Sequence, residues 1–509
     1  MSAVDDVRVS ARRRVARDGV PPVPRTPARV CIQSRECSPA LLGRLSGSTL
    51  FPERPFGAAI VATVCRGQGS VLYVTAPEMV DADEQVEYYV NLLPAGRAQC
   101  PPSRRDRVQV VSLTDGSPRW LSDKVLDRDS PDGATARKHI RDYVDRARQA
   151  GADVRLSYFE PSANLERLAA DLGVPGDQAD SRYIPLGTKV AGRRLFDSLR
   201  IAVPAGGAEC RTVGRLAASV AGLWRDGHRN IVLKLSSTEY AAGMGNALLN
   251  LGEPRHTEAD GMVEAVLGRL PTATLVDDKI TWTDFAAAVG QSGAVAEELV
   301  GGEEVRSPSF QGRIGENGQV SVVSTHEQVL VGGGQTYVGS VFPAADDYRA
   351  TVIEHGARVG QKLSELGVRR GDYGVDFLAA RRGGTWSVLG CELNLRATGT
   401  KHGFTMATNL LATMPDENGR LFVDGAERVY QASDGIADAR YVGLRPRQLI
   451  ESLQDSDLRY DHARKTGVVL HMMSAVLSYG KFGAVCIGRS HAQAADLMSA
   501  VRELADGLV

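Results

Sequence analysis

Residues 370–400 read RGDYGVDFLAARRGGTWSVLGCELNLRATGT, and the pattern of this stretch decides the fold. It reads as two strands joined by a Gly383-Gly384 turn. Alternate residues of a strand share a face, so Glu392, Asn394 and Arg396 line up on one side of the second strand. A carboxylate and an amide offer the oxygen ligands that a hard cation such as Mg²⁺ prefers. A guanidinium offers a planar fork for phosphate. Asp376, on the preceding strand, adds a third oxygen ligand. The interleaved Cys391, Leu393 and Leu395 are expected to face the core.

That grouping carries a geometric condition. A plain two-residue turn sets Arg382 opposite Thr385 and Asp376 opposite Cys391, which turns Asp376 away from Glu392. An odd-length loop or a bulge shifts the register by one and brings Asp376 opposite Glu392. The sequence therefore predicts such a loop, which the glycines permit. For an isolated hairpin, an ordinary solvated charged face is the simpler account; the rest of the chain argues otherwise.

The chain has 509 residues, enough for about two to four domains. Lys+Arg 60 against Asp+Glu 61 leaves a net charge of −1, which argues against nucleic acid or a charged membrane surface as partner. Hydrophobic content of 43% and charged content of 24% are those of a globular protein. No apolar run reaches the ~20 residues of a membrane helix. The seven cysteines form no CxxC pair, which points to reduced thiols in a cytoplasm. Residues 1–55 read as a flexible Arg/Pro-rich arm and lead-in, with Arg12-Arg13-Arg14 and Pro21-Pro22 near its start.

From 56 to 185, strand and helix signals alternate: SVLYVT (70–75), a helix over 83–93, RVQVVSL (107–113), a charged amphipathic helix over 134–149, a strand over 154–158 and a helix over 163–172. This predicts an α/β domain with a parallel sheet. It has no GxGxxG, and Gly67-Gln68-Gly69 reads as a tight turn. A second unit opens near Leu186 with a helix over 188–199 that carries Lys189 in its first turn. NIVLKL (230–235) is an apolar strand interrupted by Lys234, which must be paired, exposed or bound to a ligand. The loop SSTEYAAGMGN (236–246) follows directly, and its small residues let backbone N–H groups approach an anion. VAEELVGGEEV (295–305) reads as an edge strand and turn, or as a hinge whose backbone meets an adenine edge. A hairpin over 307–331, a strand over 335–342 and a long helix over 345–366 lead into the decisive stretch. A helix over 404–412 comes after it. The tail carries strands in 467–474 and 482–487 and a helix capped by Ser490. His471 reads as a core histidine.

Five of these pieces occur in an order that resembles the ATP-grasp superfamily of carboxylate–amine ligases: GTKVAGRRLFDSL (187–199), VLKLSSTEYAAGMGN (232–246), EELVGGEE (297–304), GVDFLA (374–379) and CELNLRATGT (391–400). The tail GVVLHMMSAVLSYGKFG (467–483) is similar to one branch, the peptide ligases of pheganomycin biosynthesis. The resemblance implies an α/β and α+β chain: a Rossmann-like pre-ATP-grasp domain over 56–185, a two-subdomain ATP-grasp fold over 186–440 and a small α/β cap over 441–509. It implies that Lys189 and Lys234 contact phosphate, and that the loop carrying Ser236, Ser237, Gly243 and Gly245 closes over the γ-phosphate. Glu297 and Val300 become the adenine hinge, and Glu304 the ribose carboxylate. Asp376, Glu392 and Asn394 become ligands of Mg²⁺, two ions in all, and Arg396, with Lys234, stabilises the transferred phosphate.

The implied reaction joins an amino-acid carboxylate of guanidino type to a peptide amine through an acyl phosphate, releasing ADP and phosphate. The implied enzyme is a homodimer. The competing readings are another ATP-grasp ligase or carboxylase with a different acceptor, and an ATP-binding sensor without catalysis.

Overall fold

The computed structural model describes residues 25–44, 52–94, 104–207, 209–237, 243–253, 259–331 and 333–509. Three sheets organise them. The first is parallel and holds β1 (Pro27–Ile32), β2 (Ser70–Thr75), β3 (Val108–Ser112) and β4 (Asp153–Ser157) in the order β3-β2-β1-β4. Val30 stands opposite both Leu72 and Leu156, and all three are fully buried against Ile140 and Val144 of the helix Pro131–Gln149. Full burial of one such side chain contributes about 1.5–3 kcal/mol.

The position of β1 corrects the expected boundary at residue 56. PARVCI is an inner strand of this sheet, so the folded domain already includes residues from 27 rather than only those after the lead-in. The Arg/Pro-rich composition around it hid a six-residue strand that has only its alternate apolar residues to announce it. The Gly67-Gln68-Gly69 stretch is the expected tight turn: Gln68 has φ 53°, and a Cβ on Gly69 would lie 1.9 Å from the Pro27 carbonyl oxygen.

The second sheet is antiparallel and runs β7 (Thr274–Leu275), β6 (Asn246–Asn250), β5 (Asn230–Leu235), β8 (Ala294–Glu298). The helix Val213–Arg225 shares its core through Leu216, Val220 and Trp224, packed with Ile231, Leu233 and Phe285.

The third sheet has ten strands. Its path joins β14 (Thr385–Asn394), β13 (Gly371–Arg382), β10 (Pro308–Ile314), β11 (Val320–Val331), β12 (Thr336–Phe342), β16 (Ala426–Ala437), β18 (Lys481–Gly488) and β17 (Gly467–His471), with β9 (Glu304–Arg306) on β13 and β15 (Leu421–Val423) on β16. The helix Asp346–Glu365 packs Val352 and Val359 beneath it, with Phe310 and Tyr373. The tail is an α/β unit as expected, but its strands continue this sheet through the β16–β18 ladder instead of forming a separate cap.

Candidate functional site

The β13–β14 hairpin meets the register condition by a route other than the predicted loop. Its turn is the plain two-residue one, with Arg382 opposite Thr385, and pairing stays regular as far as Phe377 opposite Gly390. A bulge then takes up Cys391, so that Asp376 stands opposite Glu392 and Gly374 opposite Asn394. The extra residue also corrects the expectation for Cys391. It lines the cavity described below, with its Sγ 3.6 Å from Lys234 Nζ, while Leu393 and Leu395 stay in the core as expected.

Asp376 Oδ2 accepts a hydrogen bond from Asn394 Nδ2 at 2.9 Å, and Oδ1 accepts one from Gln328 Nε2 at 2.7 Å. Lys189 Nζ lies 2.6 Å from Glu392 Oε2. Burial, aided by the neighbouring charge of Glu392, pushes Asp376 up to about 7. Burial works against the Glu392 carboxylate, but Lys189, Arg396 and Lys234 together outweigh it and hold Glu392 below the usual range. Two half-buried carboxylates face each other beside an amide oxygen, with Lys189 on one of them. They fit a hard divalent cation.

Lys234, on β5, is 7% exposed, and its Nζ lies 2.6 Å from Glu297 Oε2. Burial disfavours its charge, but Cys391 and Glu297 outweigh burial and raise its pKa. Arg193 Nη1 holds the other Glu297 oxygen at 3.1 Å. The Glu297 side chain therefore serves the two cations, and any contact with adenine is left to the backbone that follows it. Lys189, Lys234, Glu297, Val300, Asp376, Glu392, Asn394 and Arg396 all line one cavity of about 820 Å³ between the second and third sheets, as do Gly243 and Gly245.

Three expected site residues lie elsewhere. Glu304 stands opposite Arg381 in the β9–β13 ladder, 3.1 Å from its Nη2 and 2.6 Å from Arg306 Nη2, and is not among the lining residues. Ser236 is buried, with its backbone N–H on the Gly293 carbonyl at 2.9 Å, and neither it nor Ser237 lines the cavity. Residues 238–242 of the predicted loop fall outside the described residues. Where the chain re-enters, Gly243 has φ +78° and a Cβ on it would lie 2.1 Å from the Gln335 carbonyl oxygen, so only glycine lets the loop end dock there.

Residues 448–501 match the model of the PGM1 C-terminal domain. The L-propargylglycine–L-glutamate ligase of Streptantibioticus cattleyicolor is 30% identical over 360 residues, 69% of this chain and 70% of that protein. The chain is an ATP-grasp carboxylate–amine ligase. Its fold is also that of the biotin carboxylase of Campylobacter jejuni, solved as a β-γ-ATP complex (TM-score 0.52, 10% identity, 94% of each chain), and of the N5-carboxyaminoimidazole synthetase of Staphylococcus aureus, solved with ADP (TM-score 0.50, 12% identity, 94% of this chain and 98% of that one).

The ligase builds the remaining wall of its cavity from residues that the sequence did not reveal. Arg396 lies over the Phe159 ring at 5.3 Å, with its Nε 3.9 Å from Glu160 Oε2. Glu160 also takes Arg35 Nη1 at 2.7 Å, so the first domain supplies a second guanidinium beside Arg396. Arg54, Asp434 and Lys481 line the cavity as well. Among the described residues of the ligase, no helix is long and apolar enough to cross a membrane.

Proposed function

We propose that the ligase forms an amide bond through an acyl phosphate, joining an amino-acid carboxylate to the amine of an amino acid or peptide in secondary metabolism. The observation that carries this reading is the bulged β13–β14 hairpin, which brings Asp376, Glu392 and Asn394 together beside two lysines and Arg396. A carboxylate is a poor acyl donor because its leaving group is oxide. Transfer of the γ-phosphoryl group of ATP onto a carboxylate oxygen forms a mixed anhydride and releases ADP. The amine nitrogen then bonds to the acyl carbon, the C–O bond to phosphate breaks, and the amine loses a proton.

Magnesium ions, two by the resemblance, would be held by Asp376, Glu392 and Asn394, with Gln328 orienting Asp376, and would offset charge on the transferring phosphoryl group. Lys189 and Lys234 hold phosphate oxygens, and Arg396 meets the charge that develops during transfer. Glu297 keeps Lys234 oriented. Val300 and the backbone beside it take the adenine. The substrates in the name of the Streptantibioticus relative, two amino acids, support an amino-acid donor. The resemblance to the pheganomycin branch favours a non-proteinogenic donor of guanidino type. The family resemblance also implies a homodimer, the scattered cysteines favour a cytoplasmic enzyme, and the near-neutral charge speaks against nucleic acid.

Product analysis tests the reading. The protein is incubated with Mg·ATP and a mixture of amino acids, arylglycine and guanidino types included, with and without a short peptide. ADP and phosphate released only when carboxylate and amine are both present support it. AMP and pyrophosphate would overturn the acyl-phosphate route, and ADP formed without amine dependence would point to a kinase-like role.

A further inference from the structure

One end of the cavity has no part in the chemistry above. Arg54, from just before the helix Phe56–Ile60, Asp434 on β16 and Lys481 at the start of β18 meet there. Arg54 Nη2 lies 2.8 Å from Asp434 Oδ2. Behind Asp434, His471 Nε2 stands 2.9 Å from Oδ1 and His402 Nε2 3.4 Å from it, with 3.1 Å between the two ring nitrogens. Both rings are at most 5% exposed. A Cβ on Gly483 would lie 2.2 Å from His471 Nε2, so glycine makes room for this arrangement.

Every other basic side chain lining the cavity has a carboxylate oxygen within 3.9 Å. Lys481 alone has neither an ion pair nor a side-chain hydrogen bond among the described residues. Asp434, whose charge acts on it, is already held by Arg54 and the two histidines. Two cations and one carboxylate leave this end with an excess positive charge in a largely desolvated place. An ammonium that has lost much of its water is costly until an anion joins it. Two imidazoles and a carboxylate are also the ligand types of a divalent metal. Arg54 beside Asp434 argues against a further cation there.

The ligation supplies three kinds of anion: the nucleotide, the carboxylate being activated, and any carboxylate the substrates carry through unchanged. The first two belong with the Asp376–Glu392–Asn394 cluster and the two lysines. We infer that Arg54 and Lys481 bind the third, a carboxylate that is not activated, and that it is the α-carboxylate of the acceptor, which is then a free α-amino acid. A peptide acceptor carries its terminal carboxylate farther from the attacking amine by up to ~3.3–3.6 Å for each added residue, whereas Lys481 is anchored at the start of β18 in the sheet. Asp434, braced by His402 and His471, holds Arg54 in place. The inference rests on the ligase reading and narrows its acceptor.

The test starts from the full chain with Mg·ATP and a mixture of the common L-amino acids supplemented with arylglycine and guanidino types, and mass spectrometry names the donor and the acceptor. The acceptor is then replaced by its α-carboxamide, and separately any side-chain carboxylate of the donor is amidated. Amidating the acceptor should lower kcat/KM by about a hundredfold, and Lys481→Met should raise KM for the acceptor by about the same factor while KM for ATP stays unchanged. Lys481→Arg should recover part of the loss. An acceptor amide or a peptide used as well as the free acid would overturn the inference. So would sensitivity confined to the donor's side chain, or an unaltered acceptor KM in Lys481→Met. If no pair supports ADP release, the ligase reading itself fails. Thermal shift still tests the subsite: the free amino acids should raise the melting temperature of the wild type but not of Lys481→Met, and their α-amides should raise neither. Equal shifts from acids and amides would overturn it.

Discussion

In the proposed reaction, the transfer chemistry turns on Glu392. Its carboxylate faces Asp376 across the ladder, with Lys189 at 2.6 Å. Glu392→Ala is expected to lower ADP release by at least about a thousandfold while the melting temperature stays close to that of the wild type, because the two facing carboxylates repel each other without a cation. Full activity in the variant would remove Glu392 from the site.

A second residue-scale prediction concerns Glu53, which is 3% exposed, with Oε2 accepting the Ser474 backbone N–H at 3.0 Å. Burial pushes its carboxyl up to about 7. The unfolded chain therefore gives up this proton at lower pH than the folded one does. Between about 4.5 and 7 the folded state binds more protons, so the group's contribution to stability falls as pH rises through that window and stays low above it. Glu53→Gln keeps the oxygen that accepts from Ser474 and removes the charge. It should raise stability by about 1–3 kcal/mol at pH 8 and change little at pH 4. Denaturant melts at the two pH values check this, and an equal effect at both would rule it out.

At the scale of elements, two irregularities do more than the regular ladders. The bulge at Cys391 decides whether the hairpin is a cation site or a charged surface, because side chains alternate with period two and a single extra residue changes the face. The β17–β18 pair shows the same sensitivity at closer range. Gly483 stands opposite His471, and the space a methyl group would need is filled by the imidazole. Gly483→Ala should therefore cost about 1–3 kcal/mol, read as a lower denaturant midpoint with the slope unchanged. A neutral substitution would mean that His471 can swing away, and that Asp434 does not depend on its hydrogen bond.

For the whole molecule, the chain ends matter more than their composition suggested. The first domain sends Arg35 and Arg54 into the cavity, and β1 is an inner strand of its sheet. A truncation that starts at residue 56 removes that strand and leaves the apolar faces of β2 and β4 without their partner. It should give insoluble protein or a chain without a cooperative melt. A truncation that starts at residue 25 keeps every strand of the described residues and should melt cooperatively. The two proteins, compared by soluble yield and thermal unfolding, settle where the domain begins.

The sequence alone gave away most of what is local. Lys234 inside an apolar strand, the glycine-rich loop after it and the alternating Glu392, Asn394 and Arg396 are patterns of near neighbours, and their place in an ordered set of five pieces carried the resemblance to the ATP-grasp ligases. The strand NIVLKL has the predicted bounds, Asn230–Leu235. What depends on pairing at long range was not legible. Nothing near Cys391 says that it is the surplus residue, since a bulge is defined only against the partner strand. Nothing near Glu304 says that Arg381, 77 positions later, claims its carboxylate. Arg54, Asp434 and Lys481 are three ordinary charges until folding sets them around one cavity. Chemistry carried by one segment can be read from that segment, whereas a site assembled from three is decided by how they pack.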